Sequence, residues 1–215
     1  WVSLFAILIA LPFGLSVAIY MSEVANSRIR NLLKPIIELL SGIPSVVYGF
    51  FGLIVIVPFI QKVFNLPVGE SGLAGSIVLA IMALPTIITV TEDAMRNCPR
   101  AMREASLALG ASQWQTIYKV VIPYSVSGIT SGVVLGIGRA IGETMAVLMV
   151  TGNAAVIPHT ILEPLRTIPA TIAAELGEAP AGGAHYEALF LLGVVLFFIS
   201  LLINFTVEAV SARKR

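Results

Sequence analysis

The sequence predicts an all-α integral membrane protein, and three observations support that fold class. Of its 215 residues, 57% are hydrophobic and only 12% are charged, whereas soluble domains average about 25% charged residues. Its mean hydropathy is +0.95. Five apolar runs approach the roughly 20 residues that a helix needs to cross a bilayer, and none alternates as barrel strands do. A water-soluble fold is therefore excluded, and the net charge of +1 indicates no nucleic-acid partner.

The five predicted spans follow one another without a linker. We place them at residues 2–20, 35–60, 73–90, 124–150 and 188–207. The second run contains Glu38, Ser41, Gly42 and Pro44, which is typical of a helical hairpin arm or a broken helix whose first part lies near the interface. We predict one transmembrane domain over residues 1–215, with an inner loop at 92–123 and an outer loop at 151–186.

The positions of the basic residues predict the orientation of the bundle. If the loop after the first span is inside, ten of the thirteen Lys and Arg residues lie on the inner side: Arg28, Arg30, Lys34, Arg96, Arg100, Arg103, Lys119, Arg213, Lys214 and Arg215. Inner loops of membrane proteins carry such an excess of positive charge. Trp1 is then outside and Arg215 cytoplasmic. Because the chain opens at Trp1 without a Met, we expect a sixth, N-terminal span in the full subunit.

The predicted outer stretch carries both histidines of the chain, His159 and His185, which are too isolated to indicate a metal site. Within it, residues 167–176 predict an amphipathic helix, with Ile168, Ile172 and Leu176 on one side. Two interpretations stay open for this stretch. It is either a solvated connector anchored at the interface or a docking surface for an external delivery protein.

The inner loop predicts a short helix, a sharp turn and a second short helix. Residues from Glu104 onward favour a helix, Gly110 can adopt the left-handed conformation that ends it, and Ser112 can cap the next one. Pro123 suits the first turn of the following span, where its missing N–H costs nothing. We expect the apolar residues of this segment to be buried against another molecule: Leu107, Leu109, Trp114 and Ile117.

This inner loop resembles the cytoplasmic loop of ABC importer permeases, whose pattern is Glu-Ala-Ala, three residues, Gly, nine residues, an aliphatic residue, one residue and Leu-Pro. The positions that carry the resemblance are Glu104, Ala105, Gly110, Val120 and Pro123, with Ser106 replacing the second Ala and Ile122 replacing Leu. The resemblance implies a type I permease bundle in which this loop is the coupling helix that fits a cleft on the ATPase. The chain has no Gly-Lys dipeptide and hence no phosphate-cradling loop of its own.

The fourth span contains two charged residues and a stripe of small ones. Gly128, Gly132 and Gly136 recur every four residues, which lets another helix approach closely. Arg139 and Glu143 are four residues apart and share a helix face, so they can pair. An arginine inside a span is costly and avoids lipid. We interpret Arg139 as the anion-binding group of a path, held by Glu143 when no anion is present; the alternative is a buried ion pair that only fixes helix register.

Four stretches are similar to the phosphate importer permeases, the PstC family: SGIPSVVYG at 41–49, GRAIGET at 138–144, RTIPATIA at 166–173 and ELGE at 175–178. The resemblance implies a PstA-like second permease subunit, two PstB-like ATPase subunits that bind ATP and magnesium, and an external phosphate-binding protein. It implies no enzymatic activity or cofactor on this chain. Two rivals stay open: a permease for sulfate, molybdate or tungstate, and a carrier or channel subunit that works without ATP.

Overall fold

Five long apolar helical stretches form the body of the chain in a computed structural model, which describes residues 1–212. Among the described residues, these stretches are long and apolar enough to cross a membrane, and they cover Val2–Val24, Ser45–Phe64, Gly72–Arg96, Gln113–Gly142 and Ala184–Val207. The prediction of a five-span helical bundle is confirmed. The basic residues Arg213, Lys214 and Arg215 lie outside the described part.

Residues 1–212 form eleven α-helices, three of which continue through five-residue π turns. The helices are α1 (Val2–Ile19), α2 (Ser27–Ser41), α3 (Ser45–Phe51), α4 (Val57–Phe64), α5 (Gly72–Arg96), α6 (Arg100–Ala108), α7 (Gln113–Thr116), α8 (Ile122–Gly142), α9 (Met145–Val150), α10 (Ile168–Glu175) and α11 (Ala184–Ala212). The π turns are Tyr20–Val24 after α1, Gly52–Ile56 between α3 and α4, and Ile117–Val121 between α7 and α8.

Helix α5 is the centre of the bundle, with α1 and α8 packed against it. In its most apolar window 61% of the residues are buried, against 33% or less in the other four stretches. Small residues allow the close approach: a Cβ added to Gly14 of α1 would lie 2.9 Å from Ile87 Cγ2 of α5. Ser3 also donates a 3.1 Å hydrogen bond to the carbonyl of Ala140 in α8. These three helices fix the positions of the site residues.

The second apolar run is a broken helix, which confirms one of the two alternatives given for it. Helix α2 ends at Ser41, and α3 begins at Ser45 after Pro44. Pro44 has no N–H and disfavours helical geometry at the residue before it, so the helix stops here. The predicted bounds 35–60 are wrong, because the stretch that is long and apolar enough to cross a membrane is Ser45–Phe64. It is preceded by α2, which begins at Ser27 with the Asn26 side chain accepting a 2.9 Å hydrogen bond from the Ile29 amide.

The fourth apolar run is also interrupted, which corrects the prediction of one span over residues 124–150. Helix α8 ends at Gly142, and Glu143 has an extended backbone with φ −70° and ψ 132°. The Glu143 carboxylate accepts a 3.2 Å hydrogen bond from the Ala146 amide, which satisfies a free N–H in the first turn of α9. At its other end, this stretch continues back through the π turn to Gln113.

Candidate functional site

The inner loop folds into the predicted helix–turn–helix, formed by α6 and α7. Gly110 has φ +84°, a left-handed conformation in which the Ala111 amide bonds back to the Ser106 carbonyl at 3.2 Å. Ser112 caps α7 in a capping box: its hydroxyl accepts from the Gln115 amide, and the Gln115 side chain accepts from the Ser112 amide. Local turn and cap chemistry therefore decides this segment, as the sequence predicted.

A hydroxyl pair joins the two arms of this helix–turn–helix. Ser106 Oγ of α6 lies 2.9 Å from Thr116 Oγ1 of α7. An alanine at position 106 could not make this contact, so the departure from the Glu-Ala-Ala pattern gives the segment an additional link. The loop pattern does not predict this contact, because Thr116 is not one of its positions and lies ten residues away.

The end of the helix–turn–helix exposes large apolar side chains, which we call the apolar tip: Leu107, Leu109, Trp114 and Tyr118. Leu109 is 89% exposed, Trp114 67% and Tyr118 76%. The prediction that Ile117 belongs to this surface is wrong, because Ile117 is only 2% exposed. It opens the π turn, whose wider winding rotates the following side chains and brings Tyr118 outward. A surface this apolar is typical of a protein-binding site.

The remaining residues of the loop pattern divide between surface and core. Glu104, Ala105 and Pro123 are exposed. Val120 and Ile122 pack against the buried cluster of Met95, Cys98 and Val121. The aliphatic positions therefore attach the segment to the bundle. The exposed positions leave Glu104 and its neighbours free to meet a partner.

A buried carboxylate that the sequence did not reveal lies where α2 meets α5. Glu92 is fully buried and pairs with Lys34 Nζ at 2.9 Å and Arg96 Nη1 at 3.4 Å. Lys34 also bonds Asp93 at 2.5 Å. Lys34 and Glu92 are 58 residues apart, so no local pattern connects them. This cluster fixes the half-helix α2 to the central helix.

The charge cluster raises the pKa of Lys34 above 10.5, although burial alone would lower it, because hydrogen bonds to Asp93 and Glu92 outweigh that loss of hydration. A raised pKa in the folded state means that the stabilisation is complete below pH 10.5. It is lost only as the pH rises through the raised value. The link between α2 and α5 is therefore present at every physiological pH.

Substituting Lys34 by Met is expected to lower the unfolding free energy by about 1–3 kcal/mol, because a buried carboxylate loses its nearest partner while Arg96 remains. The measurement is the thermal unfolding midpoint of the purified protein in detergent. Lys62→Met is the matched control, since Lys62 is exposed and forms no ion pair with the described residues. Equal midpoints for the two variants would contradict the structural role of Lys34.

Arg139 lies in α8 beside the small-residue stripe that packs on α5. It is half-buried, and its Nη1 donates to Thr86 Oγ1 at 3.3 Å. Along the stripe, an added Cβ would lie 2.2 Å from Ala94 Cβ at Gly128, 3.0 Å from Thr91 Oγ1 at Gly132 and 2.6 Å from Ile87 Cγ1 at Gly136. At Gly138 and Gly142 of α8 there is space, because an added Cβ there meets no atom of the described residues within 4 Å.

The predicted pairing of Arg139 with Glu143 is wrong. No ion pair joins them within the described part of the chain, because the helix ends between them and Glu143 turns to cap α9. Glu143 therefore does not hold the arginine in the absence of an anion. Among the described residues, the guanidinium has one side-chain partner, the Thr86 hydroxyl, and it keeps further donors for another group.

Glu143 instead borders a cavity of about 580 Å³ between α1, α8, α11 and the outer stretch. Arg166 lies at the same cavity, where its Nε donates to the Asn153 carbonyl at 3.1 Å and its Nη1 pairs with Glu175. Glu175 also lies 3.2 Å from His185 Nε2. The outer stretch is thus linked to α11 through the contact between Glu175 and His185.

The outer stretch forms the predicted helix as α10, between Ile168 and Glu175. Ile172 and Leu176 face Leu189 and Phe190 of α11 across an apolar groove. In the preceding loop, Glu163 accepts a 2.8 Å hydrogen bond from the His159 amide, and this bond lowers the pKa of the Glu163 carboxyl despite a smaller opposing effect of desolvation. The stretch is an ordered element whose role the geometry leaves open between connector and docking surface.

A family model described as "binding-protein-dependent transport system inner membrane component" matches residues 10–215. The chain belongs to this family. Among curated relatives of these inner membrane components, the probable ABC transporter permease protein YqgH of Bacillus subtilis is 43% identical over 214 residues, covering 100% of this chain and 69% of the relative. The phosphate transport system permease protein PstC of Mesorhizobium japonicum is 39% identical, covering 94% and 67%.

A solved structure shares the fold of this chain. An inward-facing structure of the MetNI methionine ABC transporter matches with a TM-score of 0.76 and 19% identity, covering 100% of this chain and 91% of that one. The predicted type I ABC importer bundle is confirmed. The chain spans about two thirds of the length of the curated relatives cited above. It is a multi-pass inner membrane permease subunit of a binding-protein-dependent transport system.

Proposed function

We propose that this permease subunit translocates inorganic phosphate across the cytoplasmic membrane by alternating access, driven by ATP that a separate subunit hydrolyses. The observation that carries the proposal is Arg139, a half-buried guanidinium inside a spanning helix, with no carboxylate partner among the described residues. The proposed cargo is supported by relatives named phosphate transport system permease protein, which are 34–39% identical over 92% or more of the chain.

The chemistry of arginine suits an oxyanion. Its planar fork of donors can bind two oxygens of a phosphate at once, and it stays charged at any physiological pH. In a setting that contains little water, charge-assisted hydrogen bonds of this kind are strong. Since Glu143 is turned away, the arginine needs no carboxylate to be displaced before an anion arrives. We assign Glu143 to the outer part of the path, where it ends α8 next to the cavity shared with Arg166.

We propose that the bundle end at which α1 finishes faces the cytoplasm. Seven of the ten described Lys and Arg residues gather there: Arg28, Arg30, Lys34, Arg96, Arg100, Arg103 and Lys119. The ion pairs Lys34–Asp93 and Arg103–Glu23 bring the ends of α1, α2, α5 and α6 together. This orientation places Trp1 outside and the apolar tip inside, as the excess of positive charge requires.

The apolar tip is the proposed contact with one of two PstB-like ATPase subunits, which would bind ATP and magnesium. A PstA-like permease subunit would complete the path, and an external phosphate-binding protein would deliver the anion at the opposite end. Glu104 and the Gly110 turn are exposed next to the tip, where they could follow closure of the ATPases. The segment from Glu104 to Pro123 is therefore assigned to coupling.

Substituting Arg139 by Ala is expected to reduce ATP-dependent phosphate uptake about 10- to 100-fold, the loss that follows from removing hydrogen bonds to a charged group. Arg139→Lys keeps the charge without the planar fork, so its phosphate uptake should lie between that of the native protein and that of Arg139→Ala. The measurement is phosphate uptake into vesicles that contain all subunits, with co-purification of the partners as the assembly control. Native uptake by an assembled Arg139→Ala complex would disprove the assignment.

A further inference from the structure

The cytoplasmic-side end of α1 carries a carboxylate that the coupling assignment above does not use. Glu23 lies in the π turn Tyr20–Val24, and its side chain is 6% exposed. The Ser22 hydroxyl donates to Glu23 Oε1 at 2.7 Å, and Arg103 Nη1 forms an ion pair with Oε2. Both carboxylate oxygens are therefore occupied, and one partner comes from 80 residues further along the chain.

Both arms of the helix–turn–helix reach Glu23. Arg103 extends from α6, while the Gln113 side chain of α7 donates to the Glu23 backbone carbonyl at 3.2 Å. Arg103 also donates through Nη2 to the Met95 carbonyl of α5 at 2.8 Å, near the C-terminal end of that helix. A cation is favourable at a helix C-terminus, where free carbonyls gather. Glu23 and Arg103 together thus join α6 and α7 to the ends of α1 and α5.

The ion pair with Glu23 is specific to Arg103 and is not shared by Arg100, the neighbouring arginine of α6. Arg100 lies on the same helix, one turn before Arg103, but it is exposed and has no ion-pair partner in the described part of the chain. A nearly buried ion pair with additional hydrogen bonds permits little relative movement, because separating it would leave a charge without water or partner. Arg103 and Glu23 are therefore suited to hold the segment rigidly to the bundle.

We propose that Glu23 is a positioning residue that fixes the helix–turn–helix to α1 and α5, so that a displacement of the apolar tip moves these helices as one body. The inference rests on the proposed function, in which an ATPase subunit engages the tip. Without this ion pair, the helix–turn–helix could move relative to α1 and would be held mainly by its chain connections to α5 and α8. ATP hydrolysis would then continue with less transport.

The first test measures distance and does not depend on the cargo. Spin labels at Phe13→Cys of α1 and Met102→Cys of α6, both exposed positions, are placed in a Cys98→Ala background and the complete complex is trapped with ATP and vanadate. We expect one narrow distance distribution before and after trapping in the otherwise unmodified complex. Glu23→Gln and Arg103→Gln should broaden it or make it change with nucleotide, whereas the matched control Arg100→Gln should not.

The second test measures phosphate transported per ATP hydrolysed. We expect Glu23→Gln and Arg103→Gln each to lower this ratio about fivefold or more, the usual lower range of coupling between sites, with the ATPase still bound. The double variant should be no worse than Arg103→Gln alone, because Arg103→Gln already removes the ion pair together with the bond to Met95. Losses that add, or a ratio equal to that of Arg100→Gln, would overturn the inference.

The two tests separate this inference from the proposed function. Absence of phosphate transport by the unmodified complex, together with the expected distance changes, would overturn the cargo and leave the role of Glu23 supported. Normal phosphate transport with identical distance distributions in all variants would overturn the role of Glu23 alone. If Glu23→Gln does not assemble, Glu23→Asp takes its place. Glu23→Asp keeps the negative charge, so it is expected to retain most of the native ratio of phosphate transported per ATP hydrolysed. A ratio as low as that of Arg103→Gln would contradict the ion-pair account.

Discussion

Replacing Leu109 or Trp114 by Asp is expected to release the ATPase subunit from the complex. Both side chains project from the apolar tip and are unprotected within this chain. Exposed aromatic and aliphatic anchors of this kind contribute 2 kcal/mol or more to an interface when a partner buries them, which corresponds to about 30-fold weaker binding when they are lost. A buried, unpaired aspartate adds a further penalty. Transport should fall to the ATP-independent background.

The measurement is the ratio of ATPase to permease after affinity purification of the complex. Ile157→Asp is the matched control, because Ile157 and Leu109 are each 89% exposed and Ile157 lies in the outer stretch. It should leave the ratio unchanged. If Leu109→Asp and Trp114→Asp also retained the ATPase at the native ratio, the apolar tip could not be the ATPase contact.

Replacing Gly128 by Leu is expected to separate α8 from α5 and prevent stable folding. Its added Cβ would lie 2.2 Å from Ala94 Cβ, a distance at which a helix must move. Overpacking usually costs about 1–3 kcal/mol. We expect at least about 3 kcal/mol here, because the clash is with Cβ and Cα of Ala94, which cannot move away unless the backbone of α5 moves. The improved helix propensity of Leu over Gly, somewhat less than the roughly 0.8–1 kcal/mol that separates Ala from Gly, offsets only part of it.

Gly138→Leu on the same helix is the control, because no atom of residues 1–212 lies within 4 Å of its added Cβ. It should keep or slightly raise the thermal unfolding midpoint in detergent, since only the propensity gain remains. Gly128→Leu should lower the midpoint strongly or abolish the folded fraction. Equal midpoints for the two variants would show that the small-residue stripe is not needed for helix packing.

The sequence allowed prediction wherever short-range chemistry decides the structure. Gly110 and Ser112 define a turn and a cap within three residues, and Pro44 ends a helix by its own geometry, so these features were predicted correctly. The hydrophobic runs revealed the spans for the same reason, because a bilayer demands about 20 apolar residues whatever the tertiary packing. The predicted roles of Arg139, Glu143 and the coupling residues still await the experiments above.

The incorrect or missing predictions concern features that residue spacing alone does not determine. Glu143 and Arg139 have helical spacing, but a side-chain cap ended the helix between them, and competition between a cap and a helix is not visible in spacing alone. The prediction that Ile117 lies on the surface was wrong because Ile117 begins a π turn, which changes the face that a residue occupies. Glu23 and Glu92 find their partners 80 and 58 residues away. Such contacts depend on how the helices pack.

The measurement that tests the central claim most directly is uptake of labelled anions by proteoliposomes that contain the complete complex and its external binding protein. We predict phosphate uptake that requires ATP on the cytoplasmic side and is not reduced by excess sulfate, molybdate or tungstate. Uptake of one of those anions instead of phosphate would contradict the proposed cargo. Phosphate uptake at the same rate without ATP would contradict the assignment to an ATP-driven importer.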